Sequence, residues 1–251
     1  MFLNFLRGGH SRAERFAAAA LESLLRAIDA NDPQTGAHVR RVAAYALVIA
    51  DAIGLSDDER RTVEMAALFH DVGKIDHALY DIVHESGKLT PAERRAIMTH
   101  PRKGAEVLAP IAYFHPQLAQ AVLSHHERWD GNGYPRHLRG RRIPLPARVV
   151  AIADTFDVIT HGRRYRNGAS PEQAARILFA GRGTQFDPEL VDLVLWPPVL
   201  HRIIAEMRPA ERQSRKPSFR KKVKGRERPP DIEIRWRTRS KLPSRAFRTP
   251  R

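Results

Sequence analysis

The amino-acid sequence predicts an all-α fold. Apolar residues recur at intervals of three and four in several segments of residues 11–200, which is the period of a helix with one buried face. Residues that cap helices stand at the starts of these segments, and Gly or Pro separates one segment from the next. No segment in this range alternates apolar and polar residues convincingly, so we predict a helical bundle without a β-sheet.

Two helices are predicted within the first 54 residues. The sequence SRAE forms a capping box between Ser11 and Glu14, and it opens the apolar run FAAAALESLLRAI. The second helix is expected to end at Gly54, because glycine is favoured just past a helix end. Its apolar face comprises Val39, Val42, Ala43, Ala46, Leu47 and Ile53.

Similar capping motifs predict where four later helices begin. Each motif has a side-chain cap followed by Pro or an acidic residue in the first turn, and the first of these helices runs to the dipeptide His70-Asp71. The predicted caps are Ser56 in SDDE, Thr90 in TPAE, Ser170 in SPEQ and Asp187 in DPEL.

The segment WDGNGYPRHLRGRRIPLP, residues 129–146, predicts a structured loop because it is rich in Gly, Pro and Arg. Gly131 and Gly133 allow backbone angles that other residues avoid, and Pro135 fixes one turn. An apolar helix containing VVAIADTFDVI follows, and a short helix, VLHRIIAEM, is expected to close the domain.

The net charge of +15 is concentrated near the C-terminus. Residues 202–251 hold 18 of the 43 Lys/Arg and 5 of the 28 Asp/Glu, so they carry +13 and the preceding residues only +2. A basic, Pro-containing segment of this kind cannot bury enough apolar surface to fold alone. We therefore predict an N-terminal helical extension at 1–24, a folded domain at 25–200 and a mostly disordered basic tail at 201–251.

The composition also bounds the kind of site and the location. Cysteine is absent, which excludes disulfides and thiolate metal ligands. The opening MFLNFLRGGH is too short for a signal peptide, and no apolar run is long enough to span a bilayer. We expect a cytoplasmic protein.

Five histidines stand near predicted helix ends, where their side chains could converge: His38, His70, His100, His125 and His126. A single helical histidine is more often a surface or hydrogen-bonded core residue than a metal ligand. Asp71 and Asp154, however, lie in apolar surroundings, where an unpaired carboxylate is costly. Five imidazoles and two carboxylates without a soft ligand suit two divalent metal ions, with iron or manganese favoured and zinc an alternative.

The motifs HDVGKI, HHERWDGNGYP and IPLPARVVAIADTFDVIT, in this order, resemble those of the HD-GYP family of cyclic dinucleotide phosphodiesterases. The GYP triplet is Gly133-Tyr134-Pro135, and the likeness covers roughly residues 25–196, far more than a short motif. The resemblance implies a helical bundle of the HD superfamily, in which the triplet either shapes the pocket wall or contacts partner proteins.

The resemblance also implies a role for each matching residue. Asp71 would bridge two metals and act in catalysis together with Lys74, which would contact the scissile phosphate. Arg163 and Arg166 would bind the phosphates of the substrate, although a solvated loop is the plain alternative for both. The implied metal ligands are His38, His70, Asp71, His100, His125, His126 and Asp154.

The implied reaction is the hydrolysis of cyclic di-GMP to pGpG, and in some relatives on to GMP, by a hydroxide that bridges the two metals. Relatives with a third metal carry a glutamate where this chain has Gln34, so we predict two metals. Two alternatives stay open: an inactive signalling adaptor that binds partner proteins, and a phosphohydrolase of another cyclic dinucleotide or nucleotide.

The expected partners follow from the same resemblance. They are cyclic di-GMP and diguanylate cyclase proteins with a GGDEF domain. Residues 1–24 have room for one helix only, so regulation is expected from a partner, from a homodimer formed through that helix, or from the tail. The basic tail is either a solubilising extension or an attachment to nucleic acid or anionic membrane, and such attachment would weaken steeply with salt.

Overall fold

The structure is a computed structural model, and it describes residues 12–75, 79, 82, 89–111, 115–162 and 168–207, apart from the side chains of residues 13 and 14. Within these residues the fold is all-α, as predicted. They contain no strand, and their one β-bridge, between Arg182 and Phe186, is isolated.

Ten α-helices and three short 3-10 turns make up the described fold. The turns are Val72–Ile75, Ala109–Ile111 and Gly140–Arg142. The helices are α1 (Arg12–Asn31), α2 (Pro33–Ile53), α3 (Asp57–Phe69), α4 (Pro91–Ile97), α5 (His100–Leu108), α6 (Pro116–Ser124), α7 (Leu145–His161), α8 (Pro171–Ala180), α9 (Pro188–Leu195) and α10 (Pro197–Glu206).

The predicted caps at the starts of α3, α4, α8 and α9 are confirmed. Ser56, Thr90 and Ser170 each form a reciprocal capping box, and Asp187 accepts a hydrogen bond from the Glu189 amide. Gly54 ends α2 with a φ of 83°, which a residue with a Cβ rarely adopts. The predicted Ser11–Glu14 capping box lies outside the described residues.

Helices α5 and α6 were not predicted individually. Each begins with a proline in its first turn, and neither has a hydrogen bond from a capping side chain. Their apolar faces are also short, since each helix has nine residues. Sequence pattern is weakest for such helices, because packing against neighbours stabilises them more than local signals do.

The core lies between α2, α3 and α7, with α1 and α10 packed on α2. Leu21 and Leu25 of α1 both belong to this core, so α1 crosses the predicted boundary at residues 24 and 25 as one helix. The largest fully buried side chains of the three central helices are Tyr45, Ile49, Met65, Phe69, Ile152 and Phe156. None of the helices in the described ranges combines the length and the apolarity needed to cross a membrane.

The predicted loop, residues 129–146, is fixed by hydrogen bonds and an ion pair, and its last two residues form the start of α7. Buried Glu127 accepts hydrogen bonds from the backbone amides of Arg136 and Leu138, at 2.7 and 3.0 Å. Arg148 lies over the Trp129 ring and pairs with buried Asp187. The loop is therefore tied to the segment after α6, to α7 and to the residue that caps α9.

Candidate metal centre

The seven predicted ligands lie together, and they form two groups that could each hold one metal ion. Within each group the candidate donor atoms all lie within 4.8 Å of one another. The first group is His38, His70 and Asp154, and the second is Asp71, His100, His125 and His126.

Helix ends bring most of these side chains to one place. His70 ends α3 and Asp71 follows it, His100 begins α5, and His125 ends α6. His38 and Asp154 come instead from within α2 and α7, two helices of the core. The centre therefore lies where three helix ends meet the side of the α2–α7 pair.

In the first group, the Asp154 Oδ1 atom lies 3.3 Å from His38 Nε2 and 3.9 Å from His70 Nε2. In the second group, the Nε2 atoms of His100 and His125 are 3.1 Å apart. All these distances leave room for a cation between the atoms after small adjustments.

Asp71 lies between the two groups. Its Oδ2 atom is 3.5 Å from His70 Nε2, whereas its Oδ1 atom is 3.3 Å from His100 Nε2 and 3.9 Å from His125 Nε2. Lys74, three residues along the chain, donates from Nζ to Asp71 Oδ2 at 2.6 Å. Asp71 thus presents one oxygen to each group, which is the arrangement a bridging carboxylate needs.

Three of the histidines are oriented by backbone carbonyls. The Nδ1 atoms of His70, His100 and His125 lie 2.6–2.7 Å from carbonyl oxygens three residues earlier, in Ala67, Ile97 and Val122. Each carbonyl lies in the last turn of a helix, where it has no partner within the helix. Since a carbonyl only accepts, Nδ1 carries the proton and Nε2 offers its lone pair to the centre.

Buried atoms at the centre are left without a hydrogen bond. Among the described side chains, the buried atoms without a hydrogen-bond partner include His70 Nε2 and Asp71 Oδ1. Unsatisfied buried acceptors are costly, and here they face other acceptors. A divalent cation in each group would accept lone pairs from these atoms, so the residues present fit the two metal ions that the sequence predicted.

The pKa values of His38, His126 and Asp71 are shifted by their burial and by the groups that lie close to them. Burial would lower the pKa of His38, but hydrogen bonds to Asp154 and Asp157 outweigh it and raise the pKa to about 9. Burial, with the charge of His100, lowers the pKa of His126 to about 3. The pKa of Asp71 is well below its usual range, because Lys74 and the nearby imidazoles outweigh the opposing effect of burial.

The GYP triplet lies directly against the second group. The Tyr134 ring stacks on the His126 ring, with centroids 4.9 Å apart and planes 20° apart. A Cβ on Gly133 would overlap the backbone of Glu127 and Arg128, so only glycine fits there. Arg163 and Arg166, predicted to bind phosphates, lie outside the described residues.

Sequence reasoning missed the residues that support the ligands. Asp157 is buried and hydrogen-bonded to His38, and Arg41 pairs with Asp157. A signal was present, because Asp157 follows Asp154 by three residues in the same apolar helix and so lies on the same face. Glu127 was also missed, although it directly follows the two adjacent histidines.

Comparison with known proteins supports these observations. The family model described as "HD domain" matches residues 22–190. The chain is 42% identical over 177 residues to the cyclic di-GMP phosphodiesterase response regulator RpfG of Xanthomonas campestris pv. campestris, covering 70% of this chain and 46% of that protein. It is 39% identical over 175 residues to the 3'3'-cGAMP-specific phosphodiesterase 2 of Vibrio cholerae, covering 69% of this chain and 33% of that protein.

The fold also resembles a solved structure. A cyclic GMP-AMP specific phosphodiesterase of V. cholerae superimposes with a TM-score of 0.54 and 24% identity, over 76% of this chain and 53% of that one. This likeness supports the fold alone. The chain spans less than half of the length of each of these two curated relatives.

Proposed function

Because this chain belongs to the HD domain family, we propose that it is a metal-dependent phosphodiesterase that hydrolyses cyclic di-GMP. The curated relatives confirm the HD-GYP resemblance of its motifs. The observation that carries the proposal is the convergence of seven residues with nitrogen or oxygen donors, Asp71 among them, with buried acceptor atoms facing one another.

We propose two metal ions, one in each group, with Asp71 as the shared ligand. Imidazole and carboxylate donors favour iron or manganese, and zinc is the alternative. Bound divalent cations supply Lewis acidity, which lowers the pKa of water and neutralises charge on a phosphodiester. The protein itself contributes the orientation of each donor and the exclusion of water from the buried side of the centre.

The exposure of the side chains indicates where the substrate enters. Those of His70, His100 and His125 are 1% exposed, whereas those of Asp154 and Lys74 are 19% exposed. A phosphodiester would therefore approach past Asp154 and Lys74. The Lys74 ammonium then lies at the entrance, where it would attract the phosphate and stabilise added negative charge.

The remaining predicted roles are also proposals. Arg163 and Arg166 would bind the phosphates that are not cleaved, and pGpG would be the product. The loop that contains Gly133, Tyr134 and Pro135 would bind partner proteins such as diguanylate cyclase domains, since its residues 136, 137 and 139 are exposed. We also propose a cytoplasmic location, which the lack of cysteine fits, and dimerisation through α1.

A second substrate is favoured by one specific observation. One matched relative, at 39% identity, is named a 3'3'-cGAMP-specific phosphodiesterase. Both cyclic dinucleotides present the same two phosphodiesters, so the metal centre alone does not discriminate between them. The base that contacts the protein would set the preference.

The test starts with the full chain purified without oxygen, followed by metal counting and hydrolysis assays with Mn²⁺ or Fe²⁺. We expect two metals per chain, conversion of cyclic di-GMP to pGpG, and loss of both metal and hydrolysis in Asp71→Ala. The control is His201→Ala, an exposed histidine of α10. Retained hydrolysis in Asp71→Ala would refute the bridging role.

The same assay separates the alternatives. Faster hydrolysis of 3'3'-cGAMP than of cyclic di-GMP would replace the proposed substrate. A wild-type protein that binds two metals but cleaves neither dinucleotide would refute the proposed phosphodiesterase activity and favour the signalling adaptor.

A further inference from the structure

His38 differs from the other anchored histidines of the centre. His70, His100 and His125 use carbonyls of helix ends, but His38 lies in α2, where the carbonyl three residues earlier already accepts within the helix. Its Nδ1 atom therefore needs an acceptor from elsewhere in the fold. That acceptor is Asp157 Oδ2, at 2.7 Å.

Two helices face each other here with matched pairs of residues. His38 and Arg41 are three residues apart on α2, and Asp154 and Asp157 are three residues apart on α7, so each pair shares one helix face. The His38 ring consequently lies between the two carboxylates. Nδ1 meets Asp157, while Nε2 lies 3.3 Å from Asp154 Oδ1.

Asp157 is held firmly in this position. Arg41 donates to both of its oxygens, from Nε at 2.7 Å and from Nη2 at 2.9 Å. His161 Nδ1 lies 3.0 Å from Oδ1. The Asp157 side chain is 2% exposed, so a buried carboxylate is paired with a forked cation and cannot rotate away without losing those bonds.

We propose that Asp157, fixed by Arg41, is the positioning residue that keeps the His38 Nδ1 proton directed away from the centre. Nε2 is then the nitrogen that binds the metal of the first group. This inference rests on the proposed two-metal function. A carboxylate behind a metal-binding histidine fixes the orientation of its ring and increases its basicity.

The inference predicts an asymmetric effect of one substitution. Asp157→Asn replaces one of the two accepting oxygens by an NH2 donor, so the side chain can no longer accept from both His38 and the Arg41 fork. It leaves all seven proposed ligands in place. The metal position formed by His38, His70 and Asp154 should lose about 10–100-fold in affinity, the range typical for such supporting residues. The position formed by His100, His125 and His126 should change little.

The experiment is equilibrium dialysis of Mn²⁺ with metal counting, repeated with Co²⁺ and visible absorption. Wild type should bind two ions per chain, and Asp157→Asn should retain one ion with roughly half of the cobalt absorption. The matched control is Asp192→Asn, which also breaks a bidentate pair with an arginine, Arg182, but at an exposed site outside the centre. It should bind metal like wild type.

Each outcome decides the question. Equal weakening of both metal positions, or no weakening, would overturn the positioning role, because a general folding defect does not select one position. A wild type that binds no metal would refute the proposed function instead. If Asp157→Asn fails to fold by circular dichroism, Arg41→Gln decides with Arg182→Gln as its control: selective weakening of one position supports the role, and unchanged binding refutes it.

Discussion

His100 and His125 face each other with their Nε2 atoms 3.1 Å apart, and the Nδ1 atom of each ring lies within hydrogen-bonding distance of a backbone carbonyl. Two lone pairs at this distance repel each other unless a proton or cation lies between them. Both rings are buried, so water cannot separate them. A cation between the two rings would remove this repulsion, so the pair supports a metal site in the second group.

The first prediction concerns this pair. In His100→Ala, one of the three imidazoles of the second group is lost and Asp71 loses a neighbour on Oδ1. We expect metal affinity at that position to fall by at least about 100-fold, more than for a supporting residue. Hydrolysis should fall in parallel, as measured by metal counting and product analysis.

The matched control is His201→Ala, which removes an exposed histidine of α10. It should leave metal content and hydrolysis unchanged. A His100→Ala protein that keeps two metals would contradict the assignment of His100 as a ligand.

The second prediction concerns Gly73, directly after the His-Asp pair. A Cβ there would overlap the His100 carbonyl oxygen and lie 2.6 Å from the Gly104 amide nitrogen, both backbone atoms of α5. Gly73→Ala should therefore push α5, and with it His100, away from Asp71. We expect a loss of about 1–3 kcal/mol in the free energy of unfolding, together with weaker metal binding.

Gly104→Ala provides the comparison on the facing helix. Its Cβ would lie 3.0 Å from a side-chain methyl of Val122, which can shift, and 3.3 Å from the Gly73 amide nitrogen, a far milder contact than the overlap at residue 73. Alanine also favours the helix by about 1 kcal/mol. Urea unfolding should show a much smaller change than for Gly73→Ala. Equal effects would argue against the close approach at residue 73.

The third prediction concerns the tyrosine of the GYP triplet. No backbone hydrogen bond to the His126 ring is present in the described structure, and the ring is stacked on Tyr134 instead. Tyr134→Phe keeps the stack, whereas Tyr134→Ala loses it along with about 0.5–1.5 kcal/mol of aromatic contact. Metal titrations should show weaker binding at one position in Tyr134→Ala and near-normal binding in Tyr134→Phe.

Equal weakening in Tyr134→Phe and Tyr134→Ala would show that the tyrosine hydroxyl matters rather than the ring, because both variants lack the hydroxyl. In that case the hydroxyl, and not the stacked face, would be the group to investigate for substrate contact.

The fourth prediction concerns acid stability of the protein treated with chelator. The pKa of His126 is lowered from 6.5 to about 3, and burial lowers the pKa of His70 and His125 as well. Below pH 6.5 these histidines become protonated in the unfolded chain but stay neutral in the folded protein, so the unfolded state binds more protons. The free energy of unfolding should therefore fall as the pH drops from about 6.5 toward 3.

His38 has the opposite effect on the pH dependence of the free energy of unfolding. Its pKa is raised to about 9, so its contribution is complete below pH 6.5 and is lost as the pH rises toward 9. Urea unfolding across this range should show a maximum near pH 6.5. His126→Gln should flatten the acid side, and a profile without a maximum would contradict the assigned shifts.

The sequence alone determined the helical class, four helix starts and the identity of the seven candidate ligands. Caps and apolar periods act within a few residues, so they can be read directly from the chain, as Ser56 and Gly54 illustrate. The candidate ligands were identified because they belong to long ordered motifs, not because spacing alone could place them together.

Only the tertiary structure decided how those candidate ligands divide into two groups, and which nitrogen faces the centre in His38, His70, His100 and His125. His38 and Asp157 are 119 residues apart, and their contact depends on the packing of α2 against α7. The same is true of Gly73 and α5, where the approach of two backbones requires a residue without a side chain. Such relationships come from packing in three dimensions, which no local pattern encodes.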